Sequence, residues 1–177
     1  MSIAGATGAV AFTDIVGFTE FCAVRGDDEA VALLSLQEQL VRDALPPGAR
    51  IVKELGDGLL LWFPTAAPSL TTCLDLQESF ERESRDPLLP LWVRIGLHWG
   101  RPASRGDDLV GHDINVTARI VDVAGPGEVL VSEALHAQVA SAAFEVQFDE
   151  LGPVVMKGVP EPIRLYRAHP ARQRLST

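Results

Sequence analysis

The stretch VAFTDIVGFTEF, residues 10–21, sets an acid, Asp14, inside a run that otherwise reads as a buried strand, with a glycine three positions later and no basic residue beside it. An ionised carboxylate taken out of water is costly unless something pairs with it. The chain must supply a partner, or a cation must bind. A second acid, Asp57, stands between two glycines in ELGDG. Taken alone, Asp57 fits a turn residue chosen for backbone geometry, and Asp14 fits a helix N-cap for whatever follows Gly17. Brought together, two carboxylates cannot both stay ionised without compensation. A divalent cation would provide it, since Mg²⁺ typically sits on one or two carboxylates with substrate phosphates completing its shell. Ile15 to Thr19, a glycine-bearing turn leading off a strand end, also offers backbone N–H groups, those of Gly17, Phe18 and Thr19 among them, to a phosphate.

The elements around these acids bring them together. Residues 8–15 read as a strand. From Asp27 to Leu45, apolar positions recur at helical spacing behind an acidic start, and Pro46, Pro47 and Gly48 end the helix. Ile51–Leu55 and Leu59–Phe63 are apolar runs joined through Gly56, Asp57 and Gly58, a strong hairpin signal. Leu70, Cys73, Leu74 and Phe80 mark a second helix, and residues 91–99 alternate as a strand with one face inside. Val110–Ala124 reads as a third helix closed by Gly125, Pro126 and Gly127. Val129–Val131 gives a strand, Glu133–Ala140 a helix, and Val154–Met156 and Ile163–Tyr166 further strands. The leading order is that of a ferredoxin-like βαββαβ core, an α+β fold with a mostly antiparallel sheet, helices on one face, and an additional C-terminal helix and strands. In that topology the third strand lies between the first and second. The hairpin turn at Asp57 then falls beside the C-terminal end of the first strand, and Asp14 and Asp57 become neighbours.

The 177 residues, 47% hydrophobic, suit a single domain over 1–177 with its core at about 8–168. A formal charge of −9 argues against a nucleic-acid partner, whose binding rests on Lys and Arg. Cys22 and Cys73 lack CxxC spacing and read as packed thiols in a reducing compartment. The N-terminal MSIAGATG has no charged segment or long apolar core of a secretory signal. No apolar run approaches membrane-spanning length, so a cytoplasmic protein without a membrane partner is expected. His98, His136 and His169 show no metal-ligand spacing and read as structural or surface residues. Trp62, Trp92 and Trp99 fit core or interface packing.

Three segments, FTDIVGFT (12–19), KELGD (53–57) and DLVGHDINVTAR (108–119), resemble in type, spacing and order the signature segments of a class III nucleotide cyclase catalytic domain. The likeness covers roughly residues 8–168, and the short stretch from Arg101 to Asp108 is similar to the short-armed subgroup. The resemblance implies an adenylate cyclase with two divalent metal ions, Mg or Mn, working as a homodimer whose active sites lie across the subunit interface. It implies Asp14 and Asp57 as ligands of both metals, with Ile15 beside them, Lys53 and Asp108 as readers of the purine, and Asn115 and Arg119 as partners of the ribose and the reacting phosphate. Arg101 and Lys157 match more weakly the family's contacts to the β and γ phosphates.

Cyclisation needs the ribose 3′-hydroxyl to lose a proton and attack the α phosphorus in line with departing pyrophosphate, and two metals about 3.5–4 Å apart suit that displacement. No residue is an obvious protein base, so the proton is expected to pass to water or phosphate. Asn115 and Arg119, four apart on one helix face, would on an anonymous helix be a solvent-facing polar pair. Lys53 could be an ordinary strand lysine and Asp108 a turn residue. As purine readers, Asp108 would accept from the adenine amine while Lys53 donates to N1, a pattern that guanine reverses. ATP is the expected substrate. Against a diguanylate cyclase stands the absence of a GG[DE]EF-like turn, and against a polymerase-like palm the lack of a basic surface. A guanylate-using cyclase, or a nucleotide-binding dimerisation module without catalysis, are the alternative readings.

Overall fold

The computed structural model describes residues 5–141 and 145–171. Residues 1–4 of the MSIAGATG stretch lie outside the described residues. The chain runs β1 (Gly8–Ile15), α1 (Phe18–Arg25), α2 (Asp27–Ala44), β2 (Arg50–Leu55), β3 (Gly58–Phe63), α3 (Ala66–Glu83) and β4 (Val93–Gly100). It continues with β5 (Ala103–Arg105), β6 (Asp108–Val110), α4 (His112–Val123), β7 (Val129–Ser132), α5 (Glu133–Val139), β8 (Val146–Val154) and β9 (Ile163–Pro170). One sheet has the order β2-β3-β1-β4-β7-β9-β8, and β5 and β6 form a separate two-stranded ribbon. β1 pairs antiparallel with both β3 and β4. The first four strands therefore have the order and sense of the ferredoxin-like unit, and the α+β expectation holds.

Both faces of the central strands are apolar, and this departs from the expected one-sided sheet. Every residue of β3 (GLLLWF) is buried. Ala9, Ala11, Leu61 and Leu97 join Leu33 and Val41 of α2, Leu70 and Phe80 of α3 and Leu135 of α5 in one core. Val10, Phe12, Leu60 and Trp62 point to the other face and pack with Ile114 and Val121 of α4. Strands buried on both sides need a cover on each, and α4 supplies the second. Its approach is close: a Cβ at Gly96 of β4 would lie 2.6 Å from the Val121 backbone nitrogen.

Other boundaries shift for local reasons. A separate helix, α1, precedes α2, because Gly26 breaks the two at φ 86°, a backbone conformation cheap for glycine. The third predicted helix begins at His112 rather than Val110, since residues 108–110 pair with β5 across Gly106. The strand expected at Val154–Met156 lies earlier, at Val146–Val154, fixed by its pairing with β9 from Val146 opposite Pro170 to Val154 opposite Ile163. Met156 instead joins α4 residues Val116 and Ile120 in a third apolar cluster. Trp62 is core, whereas Trp92 is 45% exposed.

Candidate active site

Asp14 lies one residue before the end of β1, on the face that carries Val10 and Phe12. Its partner is Arg94, directly across the β1–β4 pairing. The Arg94 Nε donates to Asp14 Oδ2 at 2.8 Å, and a second guanidinium nitrogen donates to the same oxygen. Arg94 also donates to the Asp122 carbonyl of α4 at 3.3 Å. Asp14 therefore has a cation partner, brought from 80 residues away by strand register. A polar position in the alternating run WVRIGLHW, placed beside the first strand by the ferredoxin order, was the available signal.

Asp57 sits in the β2–β3 turn, with its carboxyl close enough to that of Asp14 for each to feel the other's charge. Burial and the Asp14 carboxyl push it up to about 6, while Arg94 pulls the other way. One guanidinium thus serves two acids, and with both ionised the corner carries surplus negative charge. Its hard oxygen donors and incompletely compensated charge fit divalent cations. Among the described residues no group of three or more His, Cys, Asp or Glu side chains forms a closed cage. Such a two-carboxylate corner suits a metal that keeps waters or substrate oxygens in its shell. Ile15 closes β1, and Gly17, at φ 73°, caps α1 without a side-chain bond, with Phe18 and Thr19 in the first turn. A cavity of about 190 Å³ adjoins the turn, lined by Gly56, Asp57, Gly58, Gln37 and Glu54 among others.

A second group forms where β2 meets the ribbon. Lys53 Nζ lies 2.8 Å from Asp108 Oδ1 and 3.0 Å from Oδ2, and Leu109 N–H donates to Asp108 at 2.7 Å. The bond from Lys53 holds the Asp108 carboxyl below the usual carboxylate range. The two residues expected to work together are brought together, 55 positions apart in sequence.

The third group is the outer side of α4. Asn115 is exposed, and Arg119 donates to Asp122 at 3.0 Å, with the Arg119 side chain 43% exposed. Among the described residues, no hydrogen bond or ion pair joins Asn115 or Arg119 to Asp14 or Asp57. The start of α4 is anchored through Asp113, which meets His98 Nε2 at 3.0 Å and accepts from the Arg101 N–H at 2.8 Å. His98 Nδ1 lies 2.7 Å from Ser132 Oγ. Burial lowers the His98 pKa, against the pull of Asp113.

Arg101 and Lys157 stand apart from the acid pair. The β1–β4 register runs from Ile15 opposite Val93 to Gly8 opposite Gly100, so Arg101 follows the end of β4 remote from Asp14. The β4 cation at the acids is Arg94. Lys157 is exposed in the turn after Met156, beside the cluster that packs on α4.

The family described as "Adenylate and Guanylate cyclase catalytic domain" matches residues 6–169. A pH-sensitive adenylate cyclase of Mycobacterium tuberculosis is 34% identical over 160 residues, covering 89% of this chain and 39% of that protein. The chain spans less than half the length of the curated relatives it matches most strongly. Among solved structures, the adenylyl cyclase CyaB from P. aeruginosa superimposes with a TM-score of 0.80 at 20% identity, over 96% of this chain and 97% of that one. The guanylate cyclase domain of RhGC from Catenaria anguillulae, solved with GTP, gives 0.78 at 19% identity, over 95% and 98%.

Proposed function

The chain belongs to the adenylate and guanylate cyclase catalytic domain family, and on that premise we propose that it converts ATP to 3′,5′-cyclic AMP and pyrophosphate at sites shared between two copies. In the reaction the ribose 3′-oxygen forms a bond to the α phosphorus, the bond to the β-phosphate oxygen breaks, and the hydroxyl proton leaves to water or phosphate. The observation that carries this reading is the Asp14–Asp57 carboxyl pair served by a single arginine. Asp14 and Asp57, with the Ile15 backbone, would hold two divalent cations, Mg or Mn. Bound there, the metals would lower the pKa of the attacking hydroxyl and steady the leaving group.

The rest is done by the chain's own groups. Arg94, rather than Arg101, is the β4 cation that would meet the β and γ phosphates, and the N–H groups of Gly17, Phe18 and Thr19, where α1 follows β1, would join it. Lys53 and Asp108 read the adenine edge. Asn115 orients the ribose. Arg119 takes charge developing on the α phosphate with its planar fork, releasing Asp122 to do so. Lys157 adds a cation to the α4 side of the site.

The exposure of Asn115 and Arg119, and their lack of bonds to the acid pair, support a homodimer in which each site joins the acids of one copy to the purine readers and α4 of the other. Free Cys22 and Cys73 accord with a cytoplasmic location. Among the described residues no helix is long and apolar enough to cross a membrane. Incubating the purified protein with ATP and Mn²⁺ and detecting the product by mass tests the proposal. Cyclic AMP is the expected product. ATP binding without a cyclic product would point to a regulatory dimerisation module, and cyclic GMP formed from GTP at the same rate would contradict the base assignment.

A further inference from the structure

Beneath the acid pair lies a buried polar relay that no catalytic assignment above uses. Gln37 of α2 is 2% exposed and Thr13 of β1 is 1% exposed. The Thr13 hydroxyl donates to Gln37 Oε1 at 3.1 Å and accepts from Leu59 N–H of β3 at 3.1 Å. Gln37 Nε2 donates to the backbone carbonyl of Asp57 at 3.0 Å. Thr13 directly precedes Asp14, so the relay links the backbones bearing the two acids through one α2 side chain. Around it the packing is close: a Cβ at Gly58 would lie 2.2 Å from the Thr13 carbonyl oxygen.

A glutamine here is out of pattern. Leu33, Gln37 and Val41 form one i, i+4 stripe on the inner face of α2, and its neighbours in that stripe are core aliphatics. Burying an amide costs free energy unless its groups are bonded, and here both ends are. A leucine would fill the stripe without that requirement but would leave the Asp57 carbonyl and the Thr13 hydroxyl without these partners. The amide therefore does what an aliphatic cannot: it fixes the height of the Asp57 turn against β1.

We infer that Gln37 and Thr13 are positioning residues that set the spacing of the Asp14 and Asp57 carboxylates for divalent-cation binding. The inference rests on the proposed function and deepens it. Two metals sharing two carboxylates tolerate little error in their separation. Partners that orient metal ligands are typically worth about 10–100-fold in affinity or activity.

The test measures Mn²⁺ binding by electron paramagnetic resonance, with 3′-deoxy-ATP present so that no turnover occurs, alongside kcat and KM for ATP. Gln37→Met and Thr13→Val should weaken Mn²⁺ binding by about 10–100-fold and lower kcat by a similar factor, with KM for ATP shifted only about threefold. Thr13→Ser, which keeps the hydroxyl, should retain Mn²⁺ binding close to that of the unmodified chain. Gln37→Glu keeps the acceptor for Thr13 but loses the donor to Asp57, and should behave like Gln37→Met. A merely structural role would lower the melting temperature of the metal-free protein and leave Mn²⁺ affinity unmoved. That result, or a Thr13→Ser variant as impaired as Thr13→Val, overturns the inference. If Gln37→Met fails to fold, the Thr13→Ser and Thr13→Val pair decides alone. An unmodified protein that binds no Mn²⁺ with the analogue would remove the proposed function itself. An unmodified protein that binds Mn²⁺ beside variants that bind it equally well removes only the positioning role.

Discussion

The acid corner and the outer side of α4 are built on opposite principles. Asp14 and Asp57 are part-buried, Asp14 is bonded to Arg94, and the two acids are backed by bonded groups from β1, β3 and α2. Asn115 and Arg119 stand on a helix whose inner face is fully engaged with the sheet while their own side meets solvent. The acid corner has its counter-charge and its backing within one chain, whereas among the described residues Arg119 meets only Asp122 of its own helix. Buried charge demands a self-contained frame, because an uncompensated ion inside a protein is costly. Exposed donors carry no such demand and can be left for another surface to complete.

That contrast is broken most severely at the corner. Asp14→Asn or Asp57→Asn should lower kcat by at least about 10³, the rate equivalent of losing several kcal/mol of metal-borne stabilisation, as read by cyclic AMP formation with Mn²⁺. A smaller loss, on the order of 10²–10³ in kcat, is expected for Arg119→Ala, the scale of one well-placed electrostatic donor. Because Arg119 is on the surface side, that variant should melt with the unmodified protein. An intact rate would take Arg119 out of the mechanism.

Base choice comes next. Each misread group on guanine should cost about 1–3 kcal/mol by analogy with hydrogen-bond discrimination in DNA, so the ratio of kcat/KM for ATP over GTP should fall toward unity when Asp108 is changed to Ala. Proton competition adds a milder signature. Burial and the neighbouring Asp14 carboxyl push the Asp57 pKa up to about 6, and an Asp57 that holds a cation would be ionised, so Mn²⁺ affinity should decline as pH falls through that value. The smallest effect is on stability. Burial depresses the His98 pKa, so the folded state binds fewer protons there than the unfolded chain. Stability should be highest above the unfolded histidine pKa of about 6.5 and decline as pH drops below it. Thermal melts of the unmodified protein and of His98→Asn should differ in that pH slope.

Much of the corner was legible in the sequence. Alternation and the GDG turn placed β1, β2 and β3, and the ferredoxin order then put Asp57 beside Asp14. Lys53 and Asp108 were paired by resemblance, and the ion pair between them is present. What escaped reading depended on contacts distant in sequence. Arg94 lies in a run whose alternation marks it only as polar, and strand register gives it a purpose. Gln37 looks like a helix surface residue until Leu33 and Val41 are seen to share its stripe. The cover that α4 provides is not legible in the sequence because continuous apolar runs such as GLLLWF do not reveal how many faces they bury. The shift of the β8 strand followed from pairing with β9, which no local pattern encodes.

Mixing two impaired variants tests the proposed shared site most directly. Asp14→Ala and Arg119→Ala proteins, each strongly impaired alone, should on mixing form heterodimers in which one site regains every group. An equal mixture should recover roughly a quarter of the unmodified activity, the statistical share of intact sites in a two-fold dimer. A mixture that stays inactive while heterodimers are demonstrably present would contradict the division of the site between two copies.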